Sequence, residues 1–189
     1  KKVITAMMTN KKGREVLKEM VKNPSSISIV YSEEAKYELV KDKVQLTLGM
    51  THPNSIPKIY TDENGTPYVK GMTITIYKGS FDILNGDKSK LPKKLRSKEI
   101  ERKIGSGNFS TEGSFLNIVG IHEGVHSLND VLEVFKQANN DGIKITERKL
   151  IRELWTKLQE DGTFEHVQTI LPETPEANAK FGFCTKLSE

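Results

Sequence analysis

The segment Ile121-His122-Glu123-Gly124-Val125-His126 sets two imidazoles four residues apart, with a carboxylate directly after the first. On an α-helix four residues advance about 6 Å and turn to within roughly 40° of the start. His122 and His126 therefore project from one face and can hold one ion between them. Zn²⁺ accepts neutral imidazole nitrogen at about 2.0–2.1 Å. Glu123 is rotated off the ligand edge but stays near the ion. It is too offset to be a third ligand and well placed to take a proton from water on the metal. The chain holds 4 His and 18 Glu among 189 residues. At that composition chance places H-E-x-x-H in fewer than about one shuffled chain in a hundred. The pattern predicts a zinc site with His122 and His126 as ligands and Glu123 as general base.

A catalytic zinc needs a third protein ligand and an open position. The residues after His126 read Ser-Leu-Asn-Asp-Val-Leu, so no histidine follows at metzincin spacing. The third ligand must come from further on, and Glu147, Glu153, His166, Glu173 and Glu176 are the candidates. Glu176 ranks first, because Thr174-Pro175-Glu176 has Pro where a helix begins and Ala177-Asn178-Ala179 permits close approach. Glu173 and Glu147 follow, then His166. Asp130 is able to bond a ligand imidazole, but reads more simply as the cap of a following helix. His166 and Tyr77 are the candidates for stabilising an oxyanion, though Tyr77 fits strand-end packing better. His52, in Thr-His-Pro, reads as a loop residue and Cys184 as a small buried hydrophobe.

The elements that must position these groups follow from periodicity. Residues 3–23 read as helix broken near Thr9-Asn10, with Asn10 capping the second half and Val16, Leu17, Met20 and Val21 forming an apolar stripe. Residues 27–31 and 44–48 read as strands and residues 51–57 as loop. Residues 58–61 and 68–77 read as paired strands joined through Asn64-Gly65, a hairpin signal. The lysine-rich stretch 87–103 is partly helical, and Gly105-Ser106-Gly107 breaks the pattern. A helix capped by Ser110 or Thr111 should carry the histidines to about Leu128. A second should cover 130–138, and a third, capped by Thr146, should run to about Gln159. Gly120 and Gly124, four apart on the active helix, mark close packing or clearance. Strands before helices favour α+β over a βαβ sheet.

Composition narrows the rest. A length of 189 residues suits one domain, here 1–189, long enough to bury a core. Mean hydropathy is −0.50, and no stretch approaches a membrane span. Net charge is +4, but 29 basic residues face 25 acidic ones. The densest basic stretch, from Lys88 to Lys103, lacks the aromatic residues that stack bases, so nucleic acid is not the expected partner. One cysteine excludes an internal disulfide. A chain starting Lys1-Lys2 reads as a processed protein or a piece of a larger one.

Gly120-Ile121-His122-Glu123-Gly124-Val125-His126 resembles the active helix of zincin metallopeptidases of the gluzincin type. The wider order is similar to the small zincin-like domains at the C-terminal ends of bacterial Rhs-type polymorphic toxins and secreted effectors. In those, an opening helix like Asn10-Lys11-Lys12-Gly13-Arg14-Glu15-Val16-Leu17 precedes β-hairpins. A segment like Pro172-Glu173-Thr174-Pro175-Glu176-Ala177 follows the active helix. The helix match is specific, and the remainder holds in outline. The resemblance implies His122 and His126 as ligands and Glu123 as base, in a secreted or envelope-exported toxin or effector. It leaves the third ligand and the substrate open. The expected architecture is a small, twisted, mostly antiparallel sheet against the active helix, with a helical C-terminal half. Residues 72–77 would be the edge strand that binds an extended protein or peptide substrate. The competing expectation is a non-enzymatic interaction domain with a structural or vestigial metal site.

Overall fold

The structure, a computed structural model, describes residues 1–102 and 109–166. Its α-helices are α1 (Lys2–Met7), α2 (Lys11–Lys22), α3 (Lys78–Leu84), α4 (Glu112–Asn140) and α5 (Arg148–Glu160). Its strands are β1 (Ile27–Ser32), β2 (Lys36–Val40), β3 (Lys43–Thr47), β4 (Gly49–Pro53), β5 (Ile59–Thr61), β6 (Pro67–Val69), β7 (Met72–Tyr77) and β8 (Ile100–Arg102). The chain is α+β.

Asn10 divides the opening helices as its type predicts: its side chain accepts from the Gly13 backbone N–H at 2.8 Å. The corner is tight enough that a Cβ on Gly13 would lie 1.8 Å from the Met7 carbonyl oxygen. Val16 and Met20 are buried, whereas Val21, at the edge of the stripe, faces solvent. Asn117 of α4 ties this corner down. Its amide donates to the Ala6 carbonyl at 2.6 Å, and its oxygen accepts from Asn10 at 2.7 Å.

The 29 residues of α4 form one helix where the sequence suggested two. No glycine or proline interrupts Leu128-Asn129-Asp130-Val131, and all four are buried. Burial on every side holds the helix through polar residues that read as a boundary. Thr111 caps it, accepting from the Ser114 N–H at 3.1 Å. Gly120 and Gly124 are packing glycines. A Cβ on Gly120 would crowd Met7 and Val3, and one on Gly124 would come within 2.6 Å of Val16 Cγ1. Gly124→Ala gains about 1 kcal/mol of helix propensity but overpacks the α2 contact at a cost of about 1–3 kcal/mol. Net destabilisation is expected in urea titration. Gly113→Ala, with only Thr111 Oγ1 nearby at 3.9 Å, should not destabilise.

Among the described residues the strands form two three-stranded mixed sheets and a hairpin rather than one sheet, and three of the five pairings are antiparallel. In the first, β7 lies between β1, which is parallel to it, and β4, which is antiparallel. In the second, β3 lies between antiparallel β2 and parallel β8. Buried Leu48 joins β3 to β4, and its carbonyl accepts from the Tyr77 N–H at 2.9 Å. Three sequence expectations change here. Residues 49–53 are strand, although 51–53 read as loop. Residues 72–77 form the central strand, with Met72, Ile74 and Ile76 buried, and not the edge. Only Pro67–Val69 pairs with Ile59–Thr61, because Gly71 at φ +76° ends that strand before β7 begins. The lysine-rich stretch forms two 3-10 turns, Lys88–Lys90 and Lys93–Leu95, and then β8. Gly105-Ser106-Gly107 lies outside the described residues.

One core joins α1, α2 and the first half of α4 to β3 and β7. A second joins Val131, Val134 and Ala138 to Ile151, Leu154, Trp155, Leu158 and Phe164. The N-cap of α5 is Glu147, one residue past the expected Thr146, and its Oε2 accepts from the Lys144 N–H at 2.9 Å. Among the described residues no helix is long and apolar enough to cross a membrane.

Candidate active site

His122 and His126 lie one turn apart on α4, with Nε2 atoms 3.0 Å apart and ring planes at 73°. Two imidazole lone pairs at that distance repel unless a proton or a cation lies between them. Ligand nitrogens at about 2.0–2.1 Å in a tetrahedral site are about 3.3–3.4 Å apart, so an opening of a few tenths of an ångström would admit zinc. Burial, and secondarily His126, push the His122 pKa down from 6.5 to about 3. The ring is thus neutral at physiological pH, the form that ligates metals.

Asp130 sits mid-helix and buried, so it is not the cap of a following helix. Its Oδ1 accepts from His126 Nδ1 at 2.9 Å, one turn away. That bond places the His126 proton on Nδ1 and leaves the Nε2 lone pair aimed at His122. Histidines that ligate a metal use a carboxylate in this position to fix their tautomer.

Glu123 is buried against β4. Thr51 Oγ1 lies 2.8 Å from Glu123 Oε2 and 2.9 Å from the Glu123 carbonyl oxygen. Gly49 makes the approach possible, since a Cβ there would lie 2.6 Å from Val119 Cγ1 and 2.7 Å from Glu123 Oε1. Sequence reasoning passed over both residues. The available signal was the Gly-x-Thr alternation of 49–51, which the neighbouring Pro53 and Pro57 made look like loop. Thr51→Val removes a donor from a buried carboxylate while keeping its shape. It is expected to destabilise the fold by about 1–3 kcal/mol in chemical denaturation, with Thr51→Ser restoring most of the loss.

The register of β4 leaves one edge open. Tyr77 N–H donates to the Leu48 carbonyl and Asn54 N–H to the Gly71 carbonyl. Antiparallel pairing alternates, so Leu48, Met50, His52 and Asn54 bond toward β7. The N–H and C=O of Gly49 and Thr51 point to the other edge, where no strand among the described residues pairs. Pro53, lacking an N–H, ends that row. A cleft of about 270 Å³ runs here, lined by His122, Glu123, His126 and Thr51 together with Tyr37 and Phe164.

The remaining sequence candidates separate clearly. Glu147 is committed to the start of α5, and Glu153 is exposed 3.9 Å from Lys149. Neither lines the cleft. His166 closes the 3-10 turn Thr163–His166, two residues along the chain from the cleft residue Phe164. Glu173, Glu176, the helix start at Thr174-Pro175-Glu176 and Cys184 lie outside the described residues. Among the described residues no group of three His, Cys, Asp or Glu side chains is assembled that could hold a metal. Tyr77 ends β7, buried, and is not among the residues that line the cleft. Burial first, then Glu34 and Glu123, raise its pKa, which fits the packing reading. His52 lies in β4, not in a loop, with Nδ1 buried.

The chain matches no family model, and comparison with curated proteins and with solved structures finds no match.

Proposed function

We propose that this chain is a zincin-like, zinc-dependent endopeptidase. The observation that carries the reading is a juxtaposition. The His122 and His126 Nε2 atoms converge within 3.0 Å beside buried Glu123, under the open edge of β4. His122 and His126 would hold the ion and Glu176 would complete the set. An ion held there would supply Lewis-acid chemistry, the acidification of water and the polarisation of a carbonyl. A protein or peptide segment adds to β4 as a further strand, bonding to the Gly49 and Thr51 backbone. This role falls to β4 and not, as the sequence suggested, to β7. Glu123 takes a proton from the attacking water and returns it to the leaving amine. Thr51 holds the Glu123 carboxylate beside the paired strand, and Asp130 holds His126.

With the resemblance of the active helix, the reading extends to an exported toxin or effector domain. The test is a search for new protein N-termini in a whole proteome treated with zinc-loaded protein. Cleavage that depends on added zinc is expected. A proteome with no N-termini beyond the untreated control would remove the endopeptidase reading.

A further inference from the structure

A second cavity, of about 260 Å³, lies at the foot of the β5–β6 hairpin. Lys58, Lys70 and Arg148 line it together with Tyr60 and Pro53, and no carboxylate does. The register Ile59↔Val69 makes Lys58 and Lys70 the next opposed pair. Like charges directly opposite each other in a ladder destabilise it. Yet both ammonium groups are drawn to one ring, each 4.9 Å from the Tyr60 centroid. Tyr68 stacks on Tyr60 at 5.5 Å and fixes its plane. Arg148, at the start of α5, donates to the Ile56 carbonyl at 3.3 Å, which holds its guanidinium at the same place.

Among the described residues none of these three cations has a carboxylate partner, whereas Lys22, Lys43, Lys78 and Lys98 all do. Three gathered positive charges without a counter-charge are complementary to an oxyanion. Their position says which kind. Pro53 is both the last residue of β4 and part of the cavity wall. It lies two residues beyond Thr51, about 7 Å along a strand. A polypeptide extended along the open edge of β4 and past Thr51 would reach the cavity with a side chain. Nucleic acid fits less well, because Tyr60 is already covered by Tyr68 and the two lysines.

We infer that Lys58, Lys70 and Arg148 form a subsite for an acidic side chain of a polypeptide bound along β4. This selects substrates with a carboxylate a few residues from the bond cleaved. The inference rests on β4 being the polypeptide-binding edge, as proposed above, but not on hydrolysis or on zinc.

Binding therefore tests it better than turnover. Fluorescence anisotropy at low salt would compare an extended peptide carrying a run of glutamates with its all-glutamine counterpart, on Glu123→Gln protein. The acidic peptide is expected to bind about tenfold tighter. In the Lys58→Ala/Lys70→Ala background that preference should disappear. It should survive in Lys93→Ala/Lys94→Ala, which removes the same charge from an exposed turn. Equal loss in both double variants would reduce the effect to net charge and overturn the subsite, as would an absent preference at the outset. Single-stranded DNA that binds more tightly than the acidic peptide, and is released by Lys58→Ala/Lys70→Ala, would overturn the polypeptide assignment. Acidic preference without any hydrolysis by wild-type protein would instead sink the peptidase reading and leave the subsite standing.

Discussion

Glu123→Gln is expected to leave zinc content near that of wild type while hydrolysis of a susceptible protein falls by at least about 10²-fold, the scale of a positioned general base. The amide matches the carboxylate in size, so the close approach to Gly49 survives. Thr51 Oγ1, 2.8 Å from Oε2, still finds an acceptor in the amide oxygen. What disappears is the capacity to accept a proton near neutral pH. A helix-decorating glutamate would tolerate the change with every property intact. Wild type and Glu123→Gln cleaving one substrate at equal rates would eliminate the mechanism even with zinc bound. The readout is initial rate at saturating zinc, with metal content measured on the same samples.

The convergence of the histidine pair was easier to read in the sequence than its support was. His122, Glu123 and His126 are encoded within five consecutive residues of one helix, and helical geometry alone places the two imidazoles together. Asn10 was legible for a similar reason: a cap acts on its own next turn, so its partner Gly13 is three residues away. Thr51 and Gly49 act on a helix about seventy residues later, and the alternation Gly49-Met50-Thr51 hints at a strand but does not say which helix it meets. The same limit explains the misjudged edge strand. The alternation Met72-Thr73-Ile74-Thr75-Ile76-Tyr77 identifies a strand. Whether it lies centrally or at an edge depends on β1 and β4, which flank it from elsewhere in the chain. Asp130 failed in another way. Aspartate is common at helix starts, and only burial by distant residues reveals a helix that continues through it.

Loss of either imidazole is expected to abolish stoichiometric zinc binding, because two nitrogens 3.0 Å apart on one helix face form a site only together. His126→Ala is the cleaner variant, since His126 is partly exposed, whereas replacing buried His122 leaves a void beside Glu123. Circular dichroism of each variant separates loss of metal from loss of fold. Asp130→Asn should act one step removed. The amide oxygen still accepts from His126 Nδ1, but the charge that made the imidazole a stronger ligand is gone, so zinc affinity should weaken about 10–100-fold. A structural role alone would leave affinity unchanged. The carboxylates downstream divide on the same measurement. Glu147 already accepts from the Lys144 N–H and Glu153 lies beside Lys149, so Glu147→Ala and Glu153→Ala are expected to bind zinc as wild type does. Glu176→Ala is expected to lose zinc as severely as His126→Ala. If Glu173→Ala loses it instead, the ligand moves three residues while the two-histidine site stands. Wild-type protein that stays metal-free in excess zinc would end the metal hypothesis, because the histidine pair would then be joined by a proton alone.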